Sequence, residues 1–437
     1  MALTKVITGV TDLNQAQSTN GLKFPTGSVF AGTPEEGMIR NDQSQSSETS
    51  SSTMQFYNGT AWKNFVNIAP IPLGSDNFNS LLYTGNSTND FGTSLAQSVT
   101  GVGFQPDLVW LKSRNQAYSH MIFDSVRGAT KAINTNTNVG VATSNGFLKS
   151  FDSDGFGLGG DFSVNRSGYP FISWNWKAGG APTATNSGGQ TPTSGSKMVD
   201  GVASTANFAT STSYPLKQSV NSSAGFSITT ITKSASGIPL EVPHGLNSPP
   251  ELIMLKTTST SDDWNQWQTA IGTGAYLSTN RNGGNDGATA SSGYGFTVVN
   301  NDIIRNQWTN AIQTWVCYAW HSVAGYSKMG SYVGNGSNTG TVVDTGFEPA
   351  WVMIKSASSN DNGGGAWLMY DNKRSTSNPR NKRLYANYNS VEQTNSNYDL
   401  DFLTASTKGF QPKYGASGGW GFNTVNVEYI YMAFAAT

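Results

Sequence analysis

The clearest pattern along the chain is a short apolar run between a proline and a lysine, and it occurs three times. The runs occupy residues 106–112, 250–256 and 349–355, and the second is a weaker copy of the other two. A continuous apolar run of this length predicts a strand that is buried on both faces. Its proline marks where strand pairing begins, because proline cannot donate to the ladder. The lysines that end the runs, listed in chain order, are expected to reach water with their ammonium groups: Lys112, Lys256 and Lys355.

Similar elements surround each run in the same order. An opening strand ends in a turn at residues 82–86 and again at 330–336, and a Gly-aromatic segment comes later in each copy. The last element is a strand rich in aromatic residues, at 169–177, 313–320 and 427–434. Copies of about 100 residues are too long for the units of a solenoid, so each is predicted to be a domain with its own core.

These patterns predict an all-β chain in which three antiparallel, jelly-roll-like β-sandwich domains follow a short, extended N-terminal segment. The predicted sandwiches occupy residues 78–177, 205–325 and 326–437. Residues 178–200 begin with a stretch rich in Gly, Ala, Pro, Thr, Ser and Asn, which predicts an extended, mobile linker. Residues 1–70 are polar and would bury too little surface to fold alone, so we expect them to pack against other chains.

Composition and charge exclude several classes of function. Hydrophobic residues make up 36% of the 437 and charged residues 12%, but aromatic residues reach 11%, which argues against a disordered chain. The formal net charge is -1, so there is no basic field to hold nucleic acid or an anionic membrane. No apolar stretch approaches the roughly 20 residues of a membrane span. We therefore expect neither nucleic-acid binding nor membrane insertion.

Two Asp-x-x-Arg pairs occupy matching places in the first and third copies. They are Asp124 with Arg127 and Asp371 with Arg374, and the second copy lacks the pair. One interpretation is a polar site that contacts a sugar or a protein partner. The interpretation that we favour is a charge pair that pins a loop, with arginine donating to the carboxylate.

Three tryptophans are candidates for stacking on sugar rings. Trp264, Trp267 and Trp308 stand among Asn, Gln and Ser residues, as an exposed aromatic platform would. The alternative is core packing, which is the usual role of a large aromatic side chain.

No pattern in the chain predicts catalysis. The three histidines have no partner at the spacing of metal ligands, and the single cysteine, Cys317, stands in an apolar run typical of a buried thiol. No phosphate-binding loop and no Gly-x-Ser-x-Gly motif is present. A glycosidase needs two carboxylates that face one sugar, and acidic residues are sparse. We predict no catalytic residue, no metal, no cofactor and no enzymatic activity.

The N-terminal motif G-x-I-R-N, followed by F-Y-N-G-T-x-W, resembles the attachment segments of bacteriophage tail fibres and related virion appendages. The match falls on these residues: Gly37, Ile39, Arg40, Asn41, Tyr57, Asn58, Gly59 and Trp62. Asn-Gly between apolar flanks also predicts a hairpin turn. The sequence departs from the motif in a Ser-rich insert at residues 43–53, expected to be a looped-out hairpin tip. The three copies, over roughly residues 78–437, resemble a repeated domain of structural proteins of marine phages.

The resemblance implies a virion protein that is made in the host cytoplasm. It implies a tail fibre or fibre-like appendage that binds other tail or capsid proteins through residues 1–70 and presents its sandwiches to a host surface glycan or protein. Fibres of this kind are usually trimers, so we expect a homotrimer. Two alternatives stay open, namely a capsid decoration or head-fibre protein and a depolymerase of host glycans.

Overall fold

The computed structural model describes most of the chain after residue 73 and part of the segment before it. The described residues are 39–42, 53–57, 60, 62–64, 74–88, 95–281, 295–307, 312–357, 365–394, 396–404, 407–413 and 422–435. The chain divides into two compact units, Met1–Pro70 and Ile71–Thr437. Within the described residues strands dominate and each helix is a single turn, so the predicted all-β fold is confirmed.

The first unit contains a three-stranded antiparallel sheet. Its strands are β1 (Ile39–Asp42), β2 (Thr53–Tyr57) and β3 (Trp62–Asn64), in the order β1-β2-β3. Asp42 pairs with Thr53 and Tyr57 pairs with Trp62, so each connection joins two adjacent antiparallel strands. The predicted hairpin tip and the predicted Asn-Gly turn fall in these two connections. Residues 43–52, 58 and 59 lie outside the described residues.

Repeat 1 of the second unit is a two-sheet sandwich. Its elements are α1 (Gly74–Asn77), β4 (Phe78–Thr84), β5 (Gln97–Thr100), β6 (Leu108–Ser113), β7 (Met121–Asp124), β8 (Lys131–Asn134), β9 (Ala142–Thr143), β10 (Leu148–Asp152), β11 (Gly155–Leu158), α2 (Phe162–Asn165) and β12 (Pro170–Trp176). The large sheet has the order β4-β12-β6-β7-β8-β9 and the small sheet the order β10-β11-β5. A core that includes Val109, Phe123 and Phe156 fills the space between the two sheets.

Repeat 2 follows the same plan with one added hairpin. Its elements are β13 (Lys197–Val199), β14 (Val202–Ala203), β15 (Pro215–Asn221), β16 (Phe226–Thr232), β17 (Leu240–Pro243), β18 (Leu252–Thr257), β19 (Asn265–Gln268), a 3-10 turn (Thr269–Ile271), β20 (Phe296–Val299), β21 (Ile303–Asn306) and β22 (Thr314–Trp320). The large sheet has the order β14-β13-β15-β16-β22-β18-β19 and the small sheet the order β17-β21-β20. Ile253, Trp315 and Phe296 belong to the core of this sandwich.

Repeat 3 closes the chain. Its elements are β23 (Ser327–Val333), β24 (Val343–Asp344), β25 (Pro349–Ser356), β26 (Leu368–Asp371), β27 (Lys382–Tyr385), β28 (Gln393–Thr394), a 3-10 turn (Ser396–Tyr398), β29 (Leu400–Leu403), β30 (Gly409–Pro412) and β31 (Glu428–Ala435). The large sheet has the order β23-β31-β25-β26-β27-β28 and the small sheet the order β24-β30-β29. Val352, Tyr429 and Phe402 belong to the core of this sandwich.

The three proline-to-lysine runs form the same strand in each repeat. Strands β6, β18 and β25 lie between the aromatic last strand and the strand that follows the run. The facing pairs are Trp110 with Trp174, Met254 with Tyr318 and Met353 with Met432. This shared register makes residues of one repeat equivalent to numbered residues of the other two, and the equivalences are used below.

The segment expected to be a mobile linker packs closely against repeat 2. Strand β13, within residues 178–200, pairs with β15, and the Gly179 N–H donates to Ser219 Oγ at 2.9 Å. A Cβ on Gly179 would lie 2.3 Å from the carbonyl oxygen of Val220. The small residues of this stretch therefore allow one backbone to approach another, a use of glycine that composition does not distinguish from flexibility.

The three large sheets also share a core in which aromatic residues of all three repeats meet. Trp176 of repeat 1 lies with its ring centroid 5.6 Å from that of Trp351 and 6.5 Å from that of Trp320. Phe78 stacks on Phe434 at 5.0 Å. Each repeat thus has a core between its own two sheets, and the other face of its large sheet contributes to one core common to the second unit.

Candidate functional site

The polar groups that the sequence singled out lie where two repeats meet. We call these contacts the first junction (repeats 1 and 2), the second junction (repeats 1 and 3) and the third junction (repeats 2 and 3). The Asp-x-x-Arg pairs follow strand β7 in repeat 1 and strand β26 in repeat 3, so register brings them to equivalent places.

At the first junction Asp124 and Arg127 form a closed, buried pair. The Arg127 backbone N–H donates to Asp124 Oδ1 at 2.7 Å, and its Nε donates to Oδ2 at 2.5 Å. The guanidinium also donates to the Ile122 and Lys131 carbonyls, both at 3.0 Å. Tyr318 of repeat 2 donates its hydroxyl to Asp124 Oδ2 at 2.6 Å, and burial raises the pKa of Tyr318 well above its usual value.

The second junction repeats this arrangement with different aromatic chemistry. Arg374 donates to Asp371 through its backbone N–H at 2.7 Å and through Nε at 2.5 Å. Trp174 of repeat 1 donates its indole N–H to Asp371 Oδ2 at 3.1 Å, and the Arg374 guanidinium lies 5.5 Å from a ring centroid of that indole. Trp174 and Tyr318 are equivalent residues of their last strands.

The third junction lacks the pair, and the facing strand explains why. Register places Gln268 at the position of the two aspartates and Ile271 at that of the two arginines. The residue equivalent to Tyr318 and Trp174 is Met432, which has no hydrogen-bond donor in its side chain. Gln268 instead caps its own turn by accepting the Ala270 N–H at 2.7 Å.

This geometry supports the loop-pinning interpretation of the charge pairs. Both aspartates are 0% exposed, and each carboxylate accepts at least three hydrogen bonds from the groups named above. A carboxylate with its acceptor sites filled in this way has no face to offer to a sugar or to a reacting group.

The structure places two of the candidate tryptophans in cores, which corrects the surface-stacking interpretation for them. Trp264 is 0% exposed, and its indole N–H donates to the Asn134 carbonyl of repeat 1 at 2.9 Å. Trp267 is 5% exposed and donates to the Gly272 carbonyl at 2.7 Å. Neither ring presents a face to solvent. Trp308 lies outside the described residues.

The expectation that the strand-end lysines reach water is wrong, because Lys112, Lys256 and Lys355 are all 0% exposed. Backbone carbonyls take the place of water around the ammonium groups of Lys112 and Lys256. Lys112 donates to Ser113 at 2.6 Å and to Gln116 at 2.8 Å. Desolvation by burial lowers the pKa of Lys112 to about 7.

Lys256 connects two repeats at the first junction. Its Nζ donates to the Asn138 carbonyl of repeat 1 at 3.1 Å and to the Thr257 carbonyl at 3.2 Å. Burial lowers its pKa to about 8, although Asp262 and Asp263 act in the opposite direction. The junctions thus hold buried cations as well as buried ion pairs.

One functional position was missed from the sequence: the residue directly before β7, β19 and β26. It is His120, Trp264 and Trp367 in the three repeats. The Trp264 indole donates to Asn134 of repeat 1, and the Trp367 indole donates to the Ser278 carbonyl of repeat 2 at 3.1 Å. All three residues have a ring N–H and occupy the same place in the repeat, and this recurrence could have identified the position from the sequence.

His120 is the repeat 1 member of this set. It is 0% exposed, and its Nδ1 accepts the Trp110 indole N–H at 3.0 Å. Burial, together with Lys112 and Arg374, lowers its pKa well below the usual value, whereas the Tyr385 carbonyl of repeat 3 acts in the opposite direction. At this position the side chain of repeat 2 binds repeat 1, that of repeat 3 binds repeat 2, and that of repeat 1 faces repeat 3. The three repeats therefore meet head to tail.

Within the described residues no three His, Cys, Asp or Glu side chains converge as metal ligands would. Over the same residues no helix is both long and apolar enough to cross a bilayer. Cys317 is 1% exposed, as predicted, and burial raises the pKa of its thiol.

Comparison with known proteins places the chain in a family. A family model described as Domain of unknown function (DUF7483) matches residues 73–202 and 199–437, which together span all three repeats. Neither the curated proteins nor the solved structures gave a match. The chain therefore belongs to the family described as Domain of unknown function (DUF7483).

Proposed function

We propose that the chain is a non-enzymatic structural protein of a phage virion, most simply a tail fibre or fibre-like appendage. It binds other virion proteins through residues 1–70 and presents the three sandwiches to the host surface. The observation that carries the proposal is the use of the repeated polar residues. Asp124, Asp371 and Lys256 all bind across or beside a junction, so the repeated features serve the assembly of a scaffold.

The N-terminal motif supports the docking part of the proposal. Strand β1 carries Ile39, Arg40 and Asn41 of the motif, and β2 pairs with β3 through Tyr57 and Trp62. The residues that resemble attachment segments therefore belong to one small antiparallel sheet. Because a sheet of this size is marginal alone, further chains would supply the burial that it lacks.

Virion composition tests the proposal directly. Gradient-purified particles of a phage that encodes the chain are examined by mass spectrometry and by immunogold electron microscopy. We expect the chain in the particles, with the label on the tail. A label spread over the capsid would support the capsid decoration alternative. Absence of the chain from purified particles would contradict the proposal.

Solution measurements test the remaining two parts. Size-exclusion chromatography with light scattering is expected to give three chains per particle for the full-length protein, and a monomer at micromolar concentration would contradict the homotrimer. Incubation with host polysaccharide is expected to release no reducing sugar. Release of reducing ends would instead support the depolymerase alternative.

A further inference from the structure

The edge of the large sheet of repeat 3 holds a pocket that the junctions do not use. It lies beside strands β26, β27 and β28 and has a volume of about 330 Å³. Three tyrosines and three short polar residues line it: Tyr385, Tyr388, Tyr398, Asn389, Ser390 and Gln393. The volume is at the lower end of the range for small-molecule sites, which suits a single sugar ring better than a large cofactor.

The tyrosines form aromatic walls of this pocket. The rings of Tyr385 and Tyr388 meet edge to face, with centroids 5.6 Å apart and an interplanar angle of 81°. Phe422 stacks on the ring of Tyr398 with an interplanar angle of 9°, which fixes the position of that ring. Tyr388 is 36% exposed, more than the other two tyrosines of the lining, which are half-buried.

A buried arginine supports the same walls. Arg383 is 3% exposed, and its guanidinium lies 4.2 Å from the Tyr398 ring centroid. It donates to the Tyr385 hydroxyl at 2.5 Å and to Gln393 Oε1 at 3.2 Å. These contacts fix three of the lining side chains before any ligand arrives, and such preorganisation lowers the entropy cost of binding.

The fold does not require these residues, as repeat 1 shows. The strand registers make Arg383, Tyr385, Tyr388 and Gln393 equivalent to smaller residues of repeat 1. Those residues are Ala132, Asn134, Thr137 and Ala142. The aromatic, guanidinium and amide groups are therefore an addition to repeat 3, made at a place where repeat 1 forms the same strands without them.

We propose that this pocket binds one pyranose ring of a host surface polysaccharide. The rings of Tyr385 and Tyr388 pack against the C–H surfaces of the sugar, and the exposed side chains of Asn389 and Gln393 exchange hydrogen bonds with its hydroxyls. This inference rests on the proposed function, because it names the class of ligand that a host-recognition protein would bind. No covalent step is involved.

Saturation-transfer NMR on the full-length protein tests the inference. The probes are glucose, galactose, rhamnose, N-acetylglucosamine and glucuronate, each at about 10 mM, a concentration suited to millimolar affinity. We expect transfer to at least one neutral or acidic probe. Tyr388→Ala and Gln393→Ala are each expected to weaken that binding by about tenfold or more. Thr137→Ala, the matched change in repeat 1, is expected to leave it unchanged.

Two results would overturn the inference: no transfer to any probe, or transfer that persists in both Tyr388→Ala and Gln393→Ala. Thermal melts of the variants show whether they fold, which we expect because Tyr388 and Gln393 are exposed. Virion labelling is independent of this assay. If the chain is present in virions and binds no sugar, only the pocket inference fails. If it binds sugar and is absent from virions, the proposed function fails and the pocket stands.

Discussion

The first and third junctions join equivalent surfaces of the repeats with different chemistry. At the first junction the Tyr318 hydroxyl donates a hydrogen bond to the buried carboxylate of Asp124 in the neighbouring repeat. At the third junction Met432 stands in the place of Tyr318, and Gln268 stands in the place of the carboxylate. A buried charge is thus present where the facing strand has a donor for it and absent where the strand has none. Whether a repeat carries an Asp-x-x-Arg pair therefore depends on the donor that the neighbouring repeat supplies, and one repeat alone does not explain it.

Removing a carboxylate should have the largest effect on this comparison. Asp371→Ala removes the carboxylate that Arg374 binds at 2.5 Å and leaves the buried guanidinium only the more distant Glu392, at 3.5 Å. We expect a loss of about 3–5 kcal/mol in the free energy of unfolding. Urea denaturation at neutral pH measures it. At the third junction Gln268→Ala removes only a neutral cap and should cost about 1 kcal/mol. Equal losses in the two variants would refute the distinction between the junctions.

Removing the donor while keeping the carboxylate should have an intermediate effect. Tyr318→Phe deletes one hydroxyl and keeps the ring. Asp124 loses the hydrogen bond that this hydroxyl donates at 2.6 Å, and Arg127 Nη2 loses a longer one, at 3.3 Å, that the hydroxyl accepts. We expect the free energy of unfolding to fall by about 1.5–3 kcal/mol. Met432→Leu, at the equivalent residue of repeat 3, keeps the volume and should cost less than about 1.5 kcal/mol. A larger loss for Met432→Leu than for Tyr318→Phe would show that packing, and not the donor, governs these positions.

Acid should weaken the second junction through His120. Its pKa in the folded protein lies well below the usual 6.5, so the unfolded chain binds more protons between the two values. Stability is therefore fully present above pH 6.5 and is lost as the pH falls toward the folded pKa. We expect a decrease of about 1 kcal/mol between pH 6.5 and 5.5.

The variant His120→Gln isolates that effect, because glutamine is polar and does not titrate. Burial also lowers the pKa of His244, to about 4, so His244 contributes a slope of the same sign in both proteins. The difference between the wild type and the variant is the quantity to compare. An unchanged slope between pH 6.5 and 5.5 would mean that His120 is not held neutral in the folded state.

The sequence was sufficient for the sandwiches and insufficient for the junctions. The proline-to-lysine runs predicted central strands correctly because a strand covered on both faces must be apolar throughout. The same pattern could not show that one face of each central strand packs against another repeat. The apolar sequence around Trp110 would be the same whether its side chain packed within its own repeat or in the core shared by the three repeats. The buried lysines were missed for a related reason, because a lysine at a strand end looks solvated until carbonyls of the fold are placed around it.

The candidate residues differ in the same way, since contacts between residues close in sequence could be predicted and contacts between distant residues could not. The charge pairs could be predicted as loop pins because both partners are local, three residues apart, whereas their aromatic partners Tyr318 and Trp174 are distant in sequence. Trp264 was ambiguous because its polar neighbours suit either a surface or a hydrogen-bonded interior. The pocket of repeat 3 combines strand β27 with residues after it, and only strand register brings Arg383 beside Gln393.

The joining of three repeats in one chain has a consequence for how the protein can change. In a symmetric assembly of identical subunits, every substitution appears three times, and a residue that suits one contact must suit all of them. Here the copies are free to diverge, as His120 and Trp367 already have at one shared position. One repeat can therefore acquire new surface residues through mutation while the other two repeats keep the residues that form the junctions.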